Sequence, residues 1–399
     1  MKTTLFSLLV CFAAISGNAM SFTIQGQIDG LMPGDTLTFE RLSLPGFEYD
    51  FAFNVVVEKQ DEFTYTGSHE HIENYWMSYK PVLNKNNYTD RRGLTLLIKD
   101  GITTLTGTAD QIYYCQVQGG LYDNETLQEA LQLENSLGRE RGVLLKLHNE
   151  ASTEGDSIKA TEYLERINSF RDDRSEDYEK VSLLNNEFYE KYPSSEHTII
   201  HALRRINISP FEQSKERYEK MNDEARNSHF GVILKREIDR IADLQPGNKA
   251  PEFHLVAING EEISLNDCAG SYVLIYHWGL CPGSIMMNDE VIELYNKYND
   301  HLIVIGITER LDYIQSAYDN APPDVKYMDL DLKPVLANML AHPWLDAELT
   351  NDNGKIEKDY AIAGLPYFVF ISPDGKIVAR DFHQAFFTAK ETMEAEFGN

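Results

Sequence analysis

Residues 271–284, SYVLIYHWGLCPGS, decide the fold. Their first eight residues form a nearly continuous apolar run, which is typical of a strand buried on both faces of a parallel sheet. A Pro-Gly pair follows the run, and the pattern then predicts a helix from about Ser284 through Tyr298. Cys281 therefore lies at a strand-to-helix junction, and a serine stands three residues further along the chain.

The residues around this junction predict a mixed α/β domain over residues 246–399. A Gln-Pro-Gly-Asn linker at 245–248 precedes it, and Asn259-Gly260 indicates a hairpin. After the helix, HLIVIGIT at 301–308 has the apolar character of a second buried strand. An antiparallel strand pair around the Pro373-Asp374-Gly375 turn and a closing helix complete the domain.

Residues His342 to Gly354 carry no clear periodicity and end in a run of turn-forming residues. We interpret them as an insertion that forms either a lid or a surface excursion.

The chain before residue 246 has two further regions. Residues 20–122 predict a β-rich domain, because FTIQGQI at 22–28 alternates apolar and polar residues. Within it, Asp100-Gly101 between two apolar runs predicts a hairpin. Residues 123–245 change to a helical period with many solvent-facing charges, and we expect a spacer or scaffold there. Neither region shows a catalytic constellation or the ligand spacing of a metal site.

The chain is strongly acidic, with a formal net charge of −27 over 399 residues. Such a surface repels phosphate backbones, so we expect no nucleic-acid partner. It also disfavours docking on anionic lipid. No stretch after the first twenty residues is long and apolar enough to predict an integral membrane span.

Residues 1–19 have the pattern of a secretory signal peptide. Lys2 precedes a short apolar core, and small residues end at Ala19, where we expect cleavage. The protein is therefore predicted to be exported, and the periplasm is the expected compartment. A lipid anchor at Cys11 is the less favoured alternative, because the residue before it, Val10, is bulkier than such cleavage sites usually accept.

Four stretches of the C-terminal region resemble one family. They are Asn248–Phe253 (NKAPEF), Cys281-Pro282 after the apolar strand, Gly364-Leu365-Pro366 before a strand, and Ser372–Lys376 (SPDGK). Together they resemble the thioredoxin fold, and more narrowly the exported TlpA/ResA-like thiol–disulfide oxidoreductases and the AhpC/TSA (redoxin) group. The resemblance covers about residues 246–399. The two regions before it resemble accessory segments that often precede such domains in Gram-negative envelope proteins.

The resemblance implies a fold class and a cellular setting. It implies an α/β thioredoxin-like C-terminal domain, with a central mixed sheet flanked by helices, preceded by a β-rich domain and a helical segment. Protein thiols and disulfides of the cell envelope would be its partners, together with an external thiol or reductant. No cofactor or metal is expected.

The active-site motif departs from the family pattern. The family usually has Cys-x-x-Cys, whereas Ser284 replaces the second thiol here. Cys268 precedes the strand that Cys281 follows, so about six residues at ~3.3 Å each separate the two cysteines by roughly 20 Å. A disulfide needs Cα atoms within about 7 Å, which excludes this pair. Pairing of Cys115 with Cys281 is left open by the sequence.

A single cysteine at this position can still carry out part of thiol–disulfide exchange. The first turn of a helix has unsatisfied N–H groups and the positive end of the helix dipole, which favour a thiolate at Cys281. Pro282 suits a first-turn position, and Ser284 can donate a hydrogen bond to the sulfur. Without an internal second thiol, release of a mixed disulfide needs an external thiol or a second substrate thiol. This chemistry suits a reductase or isomerase.

Cys281, Ser284 and Pro366 are the predicted catalytic residues. By the resemblance, Pro366 is expected to follow a cis bond and to bring a substrate-pairing backbone edge beside the cysteine. Predicted substrate-binding residues are Trp278, Pro282, Gly283 and Leu365. Two alternatives remain: a non-catalytic binding or scaffold protein, and a weak one-cysteine peroxidase through a sulfenic acid. Trp278 stands where peroxiredoxins usually have threonine, which argues against strong peroxidase activity.

Overall fold

The computed structural model describes residues 19–82, 91–308, 310–322, 325–327, 330–352 and 354–398. The predicted signal peptide, except for its last residue, and the alternative anchor site at Cys11 lie outside the described residues. Within the described part, no helix combines the length and the apolar character needed to cross a membrane.

The chain divides into two compact units. The N-terminal unit comprises Met1–Arg204 and Arg217–Leu234, and the C-terminal unit comprises Arg205–Glu216 and Lys235–Asn399. The four-part division predicted from the sequence, with boundaries at 19/20, 122/123 and 245/246, remains a prediction.

The β-rich region of the N-terminal unit forms two four-stranded sheets. One sheet has the order β4-β1-β7-β8 and the other β3-β2-β5-β6. The strands are β1 (Met20–Asp29), β2 (Thr36–Leu42), β3 (Tyr49–Val56), β4 (Glu62–His69), β5 (Glu73–Lys80), β6 (Leu94–Ile98), β7 (Gly101–Thr108) and β8 (Gln116–Gln118). The alternation predicted for residues 22–28 is confirmed, because Phe22, Ile24 and Ile28 are buried in one apolar core.

The hairpin predicted around Asp100-Gly101 is wrong. The chain does turn there, with Gly101 at φ 94°, but the flanking strands belong to different sheets. Strand β6 pairs antiparallel with β5, whereas β7 pairs parallel with β1. The turn therefore connects one sheet to the other and does not join two strands that pair with each other.

The predicted helical region is confirmed. Its helices are α1 (Glu125–Glu154), α2 (Ser157–Asp173), α3 (Ser175–Lys191), α4 (Glu196–Arg205), α5 (Phe211–Glu219), α6 (Asp223–Asn227) and α7 (His229–Asp243). Asn124 caps α1 by accepting a hydrogen bond from the Leu127 N–H at 3.1 Å. Gly155 ends the same helix in the left-handed conformation, which glycine adopts at low cost. Leu137, Ile167 and Phe170 belong to a small helical core.

The C-terminal unit is built on a five-stranded mixed sheet with the order β15-β12-β11-β16-β17. Its strands are β9 (His254–Val256), β10 (Glu262–Ser264), β11 (Tyr272–His277), β12 (Leu302–Thr308), β13 (Lys326–Tyr327), β14 (Leu330–Asp331), β15 (Leu345–Glu348), β16 (Tyr367–Ile371) and β17 (Ile377–Asp381). Its helices after α7 are α8 (Pro282–Tyr298), α9 (Leu311–Asn320), α10 (Leu332–Met339), α11 (Lys355–Asp359) and α12 (Gln384–Phe397). All six residues of β11 are buried, as the apolar run predicts.

The pairing within this sheet is mixed. Strand β11 runs parallel to β12 and antiparallel to β16, and β16 pairs antiparallel with β17. Helices α8 and α12 contribute side chains to the apolar core of this unit, in which Tyr276 stacks on Phe368 at 4.8 Å between ring centroids. The hairpin predicted around Asn259-Gly260 is confirmed as β9 and β10.

Residues 342–354 are more than a lid or a surface excursion. They contain β15, which adds a parallel strand to the edge of the sheet beside β12. Strand β15 has only four residues, LDAE, and two of them are acidic, so it has no apolar alternation by which the sequence could predict a strand.

Candidate active site

Cys281 lies at the junction where β11 has ended and α8 begins. It is the N-cap residue of α8, with an extended backbone at φ −134° and ψ 157°, and Pro282 follows as the first helical residue. Proline fits that position because its missing N–H would have no partner within the helix. The Cys281 side chain is half-buried, so the sulfur lies near the surface at a helix N-terminus.

Ser284 is the nearest polar neighbour of the sulfur. Its backbone N–H donates to Cys281 Sγ at 3.3 Å, and its Oγ lies 3.2 Å from the same sulfur. The thiol can donate to this oxygen, and the thiolate can accept from the hydroxyl. A thiolate at Cys281 therefore has two hydrogen-bond donors within reach, both from Ser284.

The Ser284 side chain is fully buried and fixed from several sides. Gly279 N–H donates to its Oγ at 3.3 Å, and Tyr276 Oη–H donates to its backbone carbonyl at 3.1 Å. Burial raises the pKa of Tyr276 well above its usual range, so this phenol remains a neutral donor. These contacts hold the serine hydroxyl against the cysteine.

The loop before β16 packs against the cysteine loop. The Leu365–Pro366 peptide bond is cis. A Cβ atom on Gly283 would lie 2.7 Å from Pro366 Cδ, and one on Gly279 would lie 2.8 Å from Leu365 Cδ1. Both glycines thus allow a close approach that a larger residue would block. The structure brings these two predicted loops together.

His277 links the same two loops. It is the last residue of β11, it is buried, and its Nδ1 lies 2.9 Å from the carbonyl oxygen of Gly364. This contact ties the end of the central strand to the segment immediately before the cis peptide.

The topology of the C-terminal unit agrees with a family match. Residues 246–380 match the AhpC/TSA family model. The AhpC/TSA region spans about a third of the chain and contains β11, the Cys281 junction and the Pro366 loop. Together with the mixed sheet it confirms the predicted thioredoxin-like fold class. No curated protein matches the chain.

Several solved structures are similar to part of this chain. The thioredoxin domain of a thiol-disulfide oxidoreductase from Bacteroides vulgatus is 23% identical, over 37% of this chain and 97% of that one, with a TM-score of 0.28. A thiol:disulfide interchange protein from Bacteroides sp. is 22% identical, over 39% of this chain and 93% of that one, with a TM-score of 0.30. The fold assignment rests on the order of the strands in the sheet and on the family match.

The predicted substrate-binding residues differ in exposure within the AhpC/TSA region. Pro282 is exposed, and Gly283 and Leu365 are half-buried, so these three offer surface beside the sulfur. Trp278 is fully buried, and its Nε1–H donates to Asp346 Oδ1 at 2.8 Å. Its side chain therefore presents no surface to a substrate and belongs to the apolar core of the C-terminal unit.

A buried polar chain extends from Trp278 to α8, and the sequence did not predict it. Asp346 Oδ2 lies 3.0 Å from His342 Nδ1, and His342 Nε2 lies 2.7 Å from Asn288 Oδ1. Asp346 lies on β15 and Asn288 on the buried face of α8. The chain connects the edge strand of the sheet to the helix that begins at Cys281. Asp346 is only partly buried, and no pattern in the sequence links it to the other members of the chain.

The other described cysteines are free thiols in buried positions. Burial raises the pKa of Cys115 to about 12, with Arg139 partly opposing the shift. Burial also raises the pKa of Cys268 to about 11, and the Asp267 carboxylate adds to the effect. Both side chains therefore stay protonated at neutral pH, and protonated thiols are poor nucleophiles.

Proposed function

We propose that the protein is an exported thiol–disulfide oxidoreductase that works through one cysteine, Cys281, as a reductase or isomerase. The observation that carries the proposal is the half-buried Cys281 sulfur at the N-cap of α8, with the N–H and hydroxyl of Ser284 as donors. Such an arrangement stabilises a thiolate, the reactive form in disulfide exchange.

The reaction would proceed through one mixed disulfide. The Cys281 thiolate attacks one sulfur of a substrate disulfide, the substrate S–S bond breaks, and the departing substrate thiolate takes up a proton. An external thiolate then attacks the substrate sulfur of the mixed disulfide, which restores the Cys281 thiolate. The external thiol ends as a mixed disulfide with the substrate, so it supplies the reducing equivalents.

Isomerisation needs no external electrons. If a second thiolate of the same substrate attacks the mixed disulfide, a new substrate disulfide forms and Cys281 is released. Because Ser284 cannot form a disulfide, no competing internal step ends the mixed disulfide early. A long-lived intermediate gives a substrate time to rearrange, which supports the isomerase branch of the proposal.

The residues around the sulfur would receive an extended substrate segment. Leu365 and the backbone before Pro366 lie beside the cysteine loop, and Pro282 and Gly283 provide surface at the helix start. Backbone groups before Pro366 would pair with the substrate in the manner of an added strand. The predicted leader at residues 1–19 supports the envelope as the compartment, where disulfides persist.

A non-catalytic binding role is the second candidate. It is favoured by one observation: a buried serine hydroxyl stands where the family usually has its second thiol. In this alternative the hydrogen bonds around Ser284 would serve packing, and Cys281 would react no faster than an ordinary exposed thiol.

Mixed-disulfide trapping separates the two candidates. The full chain carrying Cys115→Ala and Cys268→Ala is incubated with an oxidised envelope extract, and reducible adducts are identified by mass spectrometry. We expect discrete protein adducts at Cys281 that are missing when Cys281→Ser is added to the same background. Equal adduct yields from the two proteins would leave only the binding role.

A further inference from the structure

The N-terminal unit contains a cavity of about 700 Å³ that the redox site does not use. This volume lies within the range of about 300–1,000 Å³ that is usual for small-molecule sites. Three aromatic side chains, Tyr49, Trp76 and Tyr122, form part of its lining. Every lining residue belongs to the segment Met1–Arg204 of the N-terminal unit.

The cavity has the opposite charge from the protein. Among the described lining residues there are four arginines, Arg91, Arg92, Arg139 and Arg204, and one carboxylate, Glu134. The whole chain carries a formal net charge of −27. A cationic cavity in an anionic protein concentrates anions locally while the outer surface repels them.

Two of the arginines are anchored in the cavity wall. Arg91 donates to Glu134 Oε1 at 2.5 Å, and its guanidinium lies 4.7 Å from the centre of the Tyr114 ring. Arg139 donates from Nη1 to the backbone carbonyl of Tyr114 at 2.9 Å. The single carboxylate of the lining is thus already paired with Arg91.

The other two lining arginines are Arg92 and Arg204. Among the described residues, neither Arg92 nor Arg204 forms an ion pair with a carboxylate. Both side chains are exposed to solvent at the mouth of the cavity. The protein around Arg204 still lowers its pKa, mainly through desolvation, and nearby tyrosines such as Tyr122 oppose this shift. A guanidinium without a carboxylate partner in the described structure keeps its N–H donors available for charge-assisted hydrogen bonds to a bound anion.

The aromatic part of the wall is held in place. The Trp76 ring contacts Tyr49 edge to face at 5.8 Å between centroids. A Cβ atom on Gly93 would lie 2.2 Å from Trp76 Cε2, so glycine allows the backbone to pack directly on the indole. Tyr122 is fixed through its hydroxyl, which accepts from Leu97 N–H at 2.9 Å. These rings offer a preformed surface for a flat apolar group.

We propose that this cavity binds a small aryl carboxylate. The carboxylate group pairs with the guanidinium groups of Arg92 and Arg204, and the aromatic body packs against Trp76 and Tyr122. The proposal requires nothing of Cys281, so it stands or falls independently of the redox function.

Isothermal titration calorimetry of the full chain with 2-naphthoate tests the site. We expect one binding site per chain, and at least tenfold weaker binding of the uncharged analogue 2-naphthylmethanol. Arg92→Gln and Arg204→Gln should each weaken 2-naphthoate binding at least tenfold, because each removes a charge-assisted hydrogen bond. Arg205→Gln is the matched control, since this neighbouring arginine does not line the cavity.

Three results would overturn the proposal: no binding of 2-naphthoate at millimolar concentration, equal binding of the neutral analogue, or equal affinities of the Arg204→Gln and Arg205→Gln proteins. Thermal unfolding of each variant verifies that it is folded. If Arg204→Gln does not fold, Arg92→Gln decides, because its side chain is exposed and its loss leaves no buried partner.

Discussion

The Sγ atom of Cys281 lies 3.2 Å from Oγ of Ser284, and the N–H of the same serine points to the sulfur at 3.3 Å. Ser284, three residues after Cys281, is thus in contact with the cysteine sulfur. Its hydroxyl preserves a hydrogen bond to the sulfur, while it removes the possibility of an internal disulfide.

Ser284→Ala should slow the alkylation of Cys281 by iodoacetamide at neutral pH by about threefold to tenfold, as expected for one lost hydrogen bond of about 0.5–1.5 kcal/mol. The alanine keeps the backbone N–H donor but loses the hydroxyl that stabilises the thiolate. Mass spectrometry of the Cys281 peptide gives the rate. Ser316→Ala on α9, whose hydroxyl accepts a hydrogen bond from Asn320, is the matched control. Equal rates in both variants would show that the hydroxyl does not stabilise the thiolate.

Ser284→Cys should give the site an internal exit from the mixed disulfide. The new thiol would stand in contact with Cys281, so mixed disulfides should be resolved quickly and the oxidised chain should lose the mass of two hydrogen atoms. The yield of adducts in the trapping experiment should be lower for this variant than for the protein that keeps Ser284. Ser284→Ala, which cannot resolve the adduct, should retain it. If adducts of the Ser284→Cys protein persist as long as those of Ser284→Ala, a thiol at position 284 cannot attack the Cys281 sulfur that is bonded to the substrate.

The sequence predicted the C-terminal sheet well where a strand is buried on both faces. The apolar runs of β11, β12 and β16 are continuous, and each forms a buried strand of that sheet. The edge strand β15 could not be predicted, because its four residues include an aspartate and a glutamate and its pairing with β12 is purely tertiary.

A local turn signal predicts a chain reversal, but it does not by itself settle which strands pair. The Asn259-Gly260 signal lies between two strands that do pair, β9 and β10. The Asp-Gly signal at Asp100-Gly101 marks a real turn, yet β6 and β7 each pair with a strand distant in sequence. Local motifs also predicted part of the active site, namely Cys281, Ser284 and Pro366. They could not predict the contact between Trp278 and Asp346, because the two residues are distant in sequence. Asp346 lies 68 positions from Trp278, and no pattern in the sequence links them.

Gly283→Ala should disturb the Pro366 loop without removing any polar group. The new Cβ would lie 2.7 Å from Pro366 Cδ, so the loop must move, at a cost of about 1–3 kcal/mol in the free energy of unfolding. We expect a lower yield in the trapping experiment and a lower midpoint in thermal unfolding. Gly46→Ala is the control, because the nearest described atom to its new Cβ, Glu48 Cγ, would lie 3.9 Å away. Wild-type yield and stability in Gly283→Ala would mean that the close packing of the two loops is dispensable.

His197 should make the N-terminal unit sensitive to acid. Burial is the main cause that lowers the pKa of His197 from 6.5 to about 4, and nearby Arg204 lowers it further. Within the described residues its Nε2 is buried and has no hydrogen-bond partner. The unfolded chain takes up a proton below about pH 6.5, whereas the folded chain resists protonation until about pH 4. Stability from this group is therefore complete above pH 6.5 and falls by on the order of 2–3 kcal/mol as the pH drops to about 4.

His197→Phe keeps an aromatic ring against Tyr122, whose centroid lies 4.8 Å away, and removes the titration. Urea unfolding followed by circular dichroism at several pH values between 7.5 and 4 should show a smaller acid loss in this variant than in the wild type. His254→Phe, at an imidazole whose side chain is 63% exposed, should keep the wild-type pH dependence. Parallel curves for the wild type and His197→Phe would assign the acid sensitivity to other groups and refute a neutral, buried His197.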